Sequence, residues 1–244
     1  MRQGNNLTQS IVEELGIDIV TQKYSLGAPF PVEAELCESF DASRTVLREA
    51  VKMLTAKGLL SARPRQGTRV EPENNWNLMD PDVLRWTLER KFSLGLLAEF
   101  TEIRLAIEPL ASQLAAEKAD QVSLANIERA LHRMEQAELG HHDPLEADIA
   151  FHISILYASG NRFYAQFADL VETALRISIR FTNQYKGVQF ADVDDHRKVF
   201  TAIKNQRPTI AHKCMNRLIT EALDLIQDAM VNEQPESKQI STSS

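Results

Sequence analysis

Only two residues, Asp41 and Ala42, separate a short segment with helical apolar spacing (residues 32–40) from a second one that Ser43 opens. Two residues leave room for a tight turn and nothing else. The two helices must therefore cross instead of running on, which fixes a helix-turn-helix. In the first segment Leu36, Cys37 and Phe40 are predicted to face inward. Ser43 reads as the cap of the second, because a side-chain oxygen satisfies an orphan amide of the first turn. Val46, Ala50, Met53 and Leu54 repeat at helical spacing and predict its buried face. Arg44, Arg48 and Lys52 follow each other by four and share another face. Gly58 reads as a left-handed cap.

Residues 59–63 and 68–70 then read as two short strands around the tip Pro64-Arg65-Gln66-Gly67. A basic hairpin after a helix-turn-helix is the wing of a winged helix. Residues 42–70 hold seven cations (Arg44, Arg48, Lys52, Lys57, Arg63, Arg65, Arg69) against one acid, Glu49, in a chain of net charge −7. A local excess of that sign inside an acidic protein suits DNA. Arginines at a helix N-terminus reach guanine O6 and N7 in the major groove, while lysines and wing arginines neutralise phosphate. A merely solvated cationic face would need no basic hairpin beside it.

The 244 residues allow two domains, and 43% hydrophobic content supports real cores. Residues 1–72 carry nine basic and nine acidic residues, and the remainder carries 18 and 25. The acidic part is expected to face away from DNA or to bind something else. No apolar run reaches membrane-spanning length and the first residues lack a signal-peptide core, so a cytoplasmic protein is expected. Cys37 and Cys214 read as buried small side chains in a reducing compartment.

Along the chain, residues 7–22 form a first helix with Ile11, Val12, Leu15, Ile19 and Val20 as its apolar stripe. Residues 27–31 read as a loop and 71–75 as a linker. No convincing strand follows Trp76. Helical patterns cover residues 80–90, 94–118, 121–138, 143–158, 161–184, 191–204 and 207–231, punctuated by Gly140, Pro144, Gly160, Gly187 and Pro208. Pro109 lies inside the second of these and is expected to kink it. The fold class is mainly α, a winged helix-turn-helix with a small β wing (1–72) followed by an all-α bundle (73–232). Residues 233–244 read as a disordered polar tail.

Within the bundle, Asp148 and His152 stand four apart on one face of an otherwise apolar helix, and such groups need partners inside the fold. His196 opens another helix, and Arg104 lies among apolar neighbours. One Asp and two His make a plausible set for a divalent metal. Arg104 suits a carboxylate through its planar fork. An Asp-His pair with a structural role reads equally well from these residues alone. His132, His141, His142 and His212 read as surface residues.

The pattern becomes specific when both halves are taken together. Pro31-Val32-Glu33-Ala34-Glu35-Leu36, Ser43-Arg44-Thr45-Val46-Leu47-Arg48-Glu49-Ala50 and Gly58-Leu59-Leu60 resemble the winged helix of GntR-type transcription regulators. Glu102-Ile103-Arg104 with Glu108, Asp148-Ile149-Ala150-Phe151-His152, Ser159-Gly160-Asn161 and Asp195-His196 resemble the helical effector domain of the FCD branch. Trp76-Asn77-Leu78-Met79-Asp80, Asp82-Val83-Leu84 and Trp86 are similar to a narrower group, the galactonate-operon repressors, which implies a sugar-acid effector. Arg44 and Arg48 match DNA-contacting arginines of the family, whereas a further family arginine corresponds here to Ala34. Metal-binding members use an Asp and three His. Asp148, His152 and His196 match three of these positions, and the fourth, 22 residues after His196, is Leu218. The departure leaves a three-ligand site completed by effector or water, or the same groups hydrogen-bonding a polyol acid with no metal.

The resemblance implies a regulator and not an enzyme. The expected function is a homodimeric repressor of a sugar-acid operon, bound to a double-stranded operator with two half-sites. Ser43, Arg44, Thr45, Arg48, Lys52, Arg65, Gly67 and Arg69 are the expected DNA contacts. Arg44 and Arg48 would read bases, Thr45 and Lys52 would sit on phosphate, and Arg65 and Arg69 would touch backbone or minor groove. Arg104 would bind the carboxylate of a small effector, with Asp148, His152 and His196 lining the pocket or holding a divalent metal such as zinc. Alternatives are a sensor of another hydroxy acid or dicarboxylate, a metal-dependent hydrolase that activates water at the Asp-His-His set, and a pure interaction module.

Overall fold

All five apolar residues of the first helical stripe, Ile11, Val12, Leu15, Ile19 and Val20, are buried in helix α1 (Arg2–Val20). In the computed structural model, which describes residues 2–63, 67–90, 93–187 and 192–233, the chain divides into two compact units, Met1–Phe92 and Ser93–Ser244.

In the first unit, α2 (Glu33–Ser39) and α3 (Arg44–Ala56) are joined by the predicted tight turn. Asp41 takes φ 45° there, a left-handed conformation that Asp tolerates better than most residues. The Ser43 hydroxyl accepts from the Val46 amide and caps α3. The buried face of α3 is Leu47, Ala50 and Leu54, with Val46 and Met53 only partly covered. The stripe is therefore rotated toward Leu47 relative to the expected one. Gly58 ends the helix at φ +76°, and a Cβ there would lie 2.5 Å from the Asn75 carbonyl oxygen. Both the turn and the close approach require glycine.

The wing is β1 (Leu60–Arg63) paired antiparallel with β2 (Gly67–Val70), in register Leu60↔Val70 and Arg63↔Gly67. The predicted loop before α2 also joins it. Phe30 N–H donates to Thr68 O and Val70 N–H to Ala28 O, at 2.8 and 3.0 Å. These long-range bonds give residues 28–30 strand-like pairing that their Ala-Pro-Phe composition hides.

The unit continues past Pro72, the boundary expected from composition. Trp76, and Val83 and Trp86 of α4 (Pro81–Arg90), share one core with Ile11, Leu15, Leu36 and Leu54. The Trp86 indole N–H donates to Glu13, 2.9 Å away. Its ring lies over Gly16, where a Cβ would come within 2.4 Å of ring carbon. Trp86 fits this core because Gly16 of α1 leaves a gap for its ring, and Trp76 lies beside Gly58 at the end of α3.

The second unit is all helical among its described residues: α5 (Leu94–Lys118), α6 (Gln121–Glu138), α7 (Pro144–Ala158), α8 (Arg162–Gln166), α9 (Ala168–Lys186), α10 (Val193–Lys204) and α11 (Pro208–Glu233). The side chains of Ser93, Asp120, Asp143, Asn161 and Asp192 each cap a helix by accepting from a first-turn amide. The helix expected over 161–184 is two helices. At Phe167 the amide turns to the Tyr164 carbonyl, an i to i−3 bond that breaks the α ladder. Pro109 is buried, and α5 runs unbroken through it. α11 packs along α5 and against α10, and α6 along α7. The tail beyond Glu233 lies outside the described residues.

Candidate functional site

The cationic face of α3 stands clear of the core. Arg44, Thr45, Arg48 and Lys52 are exposed, and Ser43 is engaged as the cap. Arg48 is 65% and Lys52 74% exposed, which leaves both free to reach a duplex. Each carries a local acid. Arg48 Nε lies 2.9 Å from Glu33 of α2, and Lys52 Nζ 3.3 Å from Glu49.

Two of the seven cations are used differently. Lys57 turns inward and bridges Asp80 and Asp82 at 2.8 and 2.9 Å. Burial works against its charge, but the two carboxylates outweigh this and raise its pKa. It ties the end of α3 to the start of α4 and is not part of the outer face. Arg69 is spent on structure as well, because its guanidinium donates to the Gly27 carbonyl at 2.7 and 3.1 Å. Gly67 begins β2 at φ +75°, with open space around it. Arg65, expected at the wing tip, lies outside the described residues.

In the second unit the four predicted effector residues meet. Arg104 of α5, Asp148 and His152 of α7, and His196 of α10 are all buried, and all line one cavity of about 80 Å³. Between them sits Glu108, fully buried one turn after Arg104. Its carboxylate accepts from Arg104 Nε at 2.5 Å and from His152 Nδ1 at 2.5 Å. Arg104, expected to be free for an effector carboxylate, is thus half engaged by an internal one. Burial opposes the Glu108 charge, but Arg104 and His152 overcome it and hold its pKa at about 2. Burial likewise opposes charge on His152, and Glu108 and Asp148 overcome that to lift it to about 9. Asp148, equally buried, is held well below the usual carboxylate range by His196 and His152.

The donor set has an unfinished edge. His196 Nδ1 lies 2.7 Å from the Asp192 carbonyl, which can only accept, so the ring N–H is at Nδ1. In the neutral ring Nε2 then carries a lone pair. It faces Asp148 Oδ1 at 3.3 Å, and neither atom has a hydrogen-bond partner. His152 Nε2 is 3.3 Å from the same oxygen. Two acceptors buried face to face call for a proton or a cation between them. A tetrahedral ion about 2.0–2.1 Å from each donor spaces its donors by about 3.3–3.4 Å, which matches the 3.3 Å between Asp148 and each histidine. The outer nitrogens of both rings are fixed by a carboxylate and a carbonyl, the usual support of metal-bound imidazole. Asp148, His152 and His196 therefore fit a divalent metal with three protein ligands. Leu218, at the family's fourth position, also lines the cavity and brings no donor.

The rest of the wall comes from α9, with Ser178, Thr182 and Asn183, and from Asp195 and Glu221. Asp195 stood out from sequence only as part of the family motif, and the others were not identified, since nothing in an isolated helix marks which polar side chains face a cavity. Glu108 did leave a signal, because it stands four residues after Arg104 on one helical face.

Comparison with known proteins agrees with both units. Residues 7–70 match the gntR family of bacterial regulatory proteins, and residues 99–221 match the FCD domain. The galactonate operon transcriptional repressor of Escherichia coli strain K12 is 34% identical over 218 residues, which cover 89% of this chain and 95% of that protein. The Glc operon transcriptional activator of the same strain is 26% identical over 83% of this chain and 80% of its own length. The solved structure of Lar, which controls expression of the Listeria monocytogenes agr system, aligns over 91% of this chain and 96% of its own. Its TM-score is 0.58 at 16% identity, a likeness of fold alone. Among the described residues no helix is long and apolar enough to cross a membrane. With a winged helix-turn-helix and a helical FCD domain matched over most of its length, the chain belongs to the GntR family of DNA-binding transcription regulators and is not an enzyme.

Proposed function

We propose that this regulator is a homodimeric repressor of a sugar-acid catabolic operon, released from a two-half-site operator when a small polyhydroxy carboxylate enters the FCD cavity. The observation that carries the reading is that cavity. It offers a guanidinium at Arg104, hydroxyls at Ser178 and Thr182 and an amide at Asn183. That mixture suits an acid with several hydroxyls better than a plain dicarboxylate, which would meet Asp148, Asp195 and Glu221 without enough cations to balance them. The 34% identity to a galactonate operon repressor supports the same class of effector.

Asp148, His152 and His196 would hold a divalent metal. Bound there, it would supply positive charge for a hydroxy-carboxylate in place of the fourth ligand that Leu218 lacks. The chain's own contribution is orientation. Glu108 and Asp192 fix the two imidazoles, and Arg104 turns toward the ligand what Glu108 leaves free. On the DNA side, Arg44 and Arg48 read base edges, and Thr45 and Lys52 sit on phosphate. The wing, through Arg65 and with Arg69 bracing its base, meets the backbone or minor groove. Ligand binding releases DNA only to the extent that it favours one arrangement of the paired heads over another.

The test is a thermal-stability titration of the full chain with aldonic, uronic and short carboxylic acids, each with and without chelator. The proposal expects a rise in melting temperature with one sugar acid and none with short dicarboxylates. A rise that chelator abolishes assigns the metal to the site. No rise with any acid would sink the effector assignment and leave DNA binding untouched. Arg104→Ala should remove the response while DNA affinity is retained.

A further inference from the structure

An acid beside a DNA-facing cation repels phosphate, and two stand against the cationic face of α3, Glu49 beside Lys52 and Glu33 beside Arg48. Of these, Glu33 meets its partner with both oxygens. It is the first residue of α2, and its two carboxylate oxygens lie 2.9 and 3.1 Å from one nitrogen of Arg48, the Nε. Its Oε1 is shut off from solvent although the side chain as a whole is 35% exposed. One oxygen of the carboxylate is thus covered, while the other and the guanidinium stay in contact with solvent.

We propose that Glu33 is a positioning residue for base reading. By bracketing Nε it fixes the plane of the Arg48 guanidinium and leaves the terminal nitrogens pointing outward. Arg carries five N–H donors in a rigid fork, and a guanine edge takes two of them in parallel through O6 and N7. Holding the inner donor orders a long side chain before DNA arrives, so less freedom is lost on contact. The same carboxylate weakens attraction to any phosphate nearby, whatever the sequence. Glu33 therefore trades general affinity for discrimination. This rests on the reading of Arg48 as a base contact.

The experiment uses the full chain and two probes. One is a duplex selected by the wild-type protein from a randomised pool, and the other is a scrambled duplex of equal composition, both at one salt concentration. Glu33→Ala should lower the ratio of the two affinities about three- to tenfold, the value of one pre-ordered side chain, while affinity for the scrambled duplex holds or rises. Glu33→Gln, which keeps an acceptor oxygen, should recover part of the ratio. The double variant with Arg48→Ala should discriminate no worse than Arg48→Ala alone. A ratio unchanged in Glu33→Ala but reduced in Arg48→Ala would overturn the proposal. So would an equal loss of both affinities, which marks a loosened α2. If Arg48→Ala itself leaves the ratio unchanged, the base-contact reading fails first and takes this one with it. Should Glu33→Ala fail to fold by circular dichroism, Glu33→Gln carries the test.

Discussion

Glu108→Gln is the sharpest probe of the buried site. The carboxylate accepts from two donors, Arg104 Nε and His152 Nδ1, and no part of it is exposed. An amide of the same shape has one acceptor and one donor end. Either Arg104 or His152 must then face an N–H₂ group, and the Arg104 charge, only 3% exposed, loses its counter-ion. The size of the effect follows in two ways. The drop in pKa from 4.5 to about 2 corresponds to about 3.5 kcal/mol at ~1.4 kcal/mol per pH unit. Breaking a buried pair by removing one partner costs about 3–5 kcal/mol, so the two routes meet near the lower figure. With a urea slope of about 2 kcal/mol/M, the midpoint should fall by roughly 1.5 M.

The choice of signal matters here. Both tryptophans, Trp76 and Trp86, lie in the first unit, so their fluorescence is silent about this change. Far-UV circular dichroism, dominated by the longer helices of the second unit, should carry the shift. Because the folded pKa is depressed, the Glu108 contribution is fully present above pH 4.5 and is lost as pH falls through about 2. A shift in the dichroism midpoint below about 0.3 M with an unchanged slope, or a shift seen by tryptophan fluorescence instead, would refute the assignment of Glu108 as the shared counter-ion.

Three further outcomes are expected. Gly16→Ala gains helix propensity of about 1 kcal/mol but drives a methyl into the Trp86 ring. Overpacking costs about 1–3 kcal/mol, so the fluorescence transition should move to lower urea; a more stable protein would show that the ring has room to shift. The Arg85 hydrogen bond holds Glu13 below its usual pKa. Stability of the first unit should accordingly be flat above pH 4.5 and decline as pH falls through the depressed value, a dependence that Glu13→Gln removes. Leu218→His adds a donor to a three-ligand wall and should raise zinc affinity about tenfold or more, by analogy with ligand-support losses of ~10–100-fold. Competition with a chromophoric chelator reads this directly, and an unchanged affinity would place the side chain out of reach of the three donors.

Much of this protein was legible because its signals are local. A two-residue turn, a capping serine, apolar spacing of three and four, and a glycine stop define α2, α3 and the wing from neighbours a few residues apart. The same range made Asp148 and His152 visible as a pair and left a trace of Arg104 with Glu108. His196 was noted as the opening residue of another helix, but no local pattern links it to α7, and the family resemblance set it beside Asp148 and His152.

What remained hidden depends on contacts distant in sequence. Lys57 looked like one more DNA cation, and only its meeting with Asp80 and Asp82 turns it inward. Arg69 looked free until the loop at Gly27 came alongside β2. Trp76 and Trp86 read as part of the bundle, yet both pack into the first core, Trp86 over the gap at Gly16. The hydroxyls of α9 became a cavity wall only when that helix was set against α5, α7 and α10. Sequence alone determined which elements form, since hydrogen bonding and apolar period act over one or two turns. Tertiary structure decided which charges are spent inside, because the worth of a charge depends on who stands opposite when water is excluded.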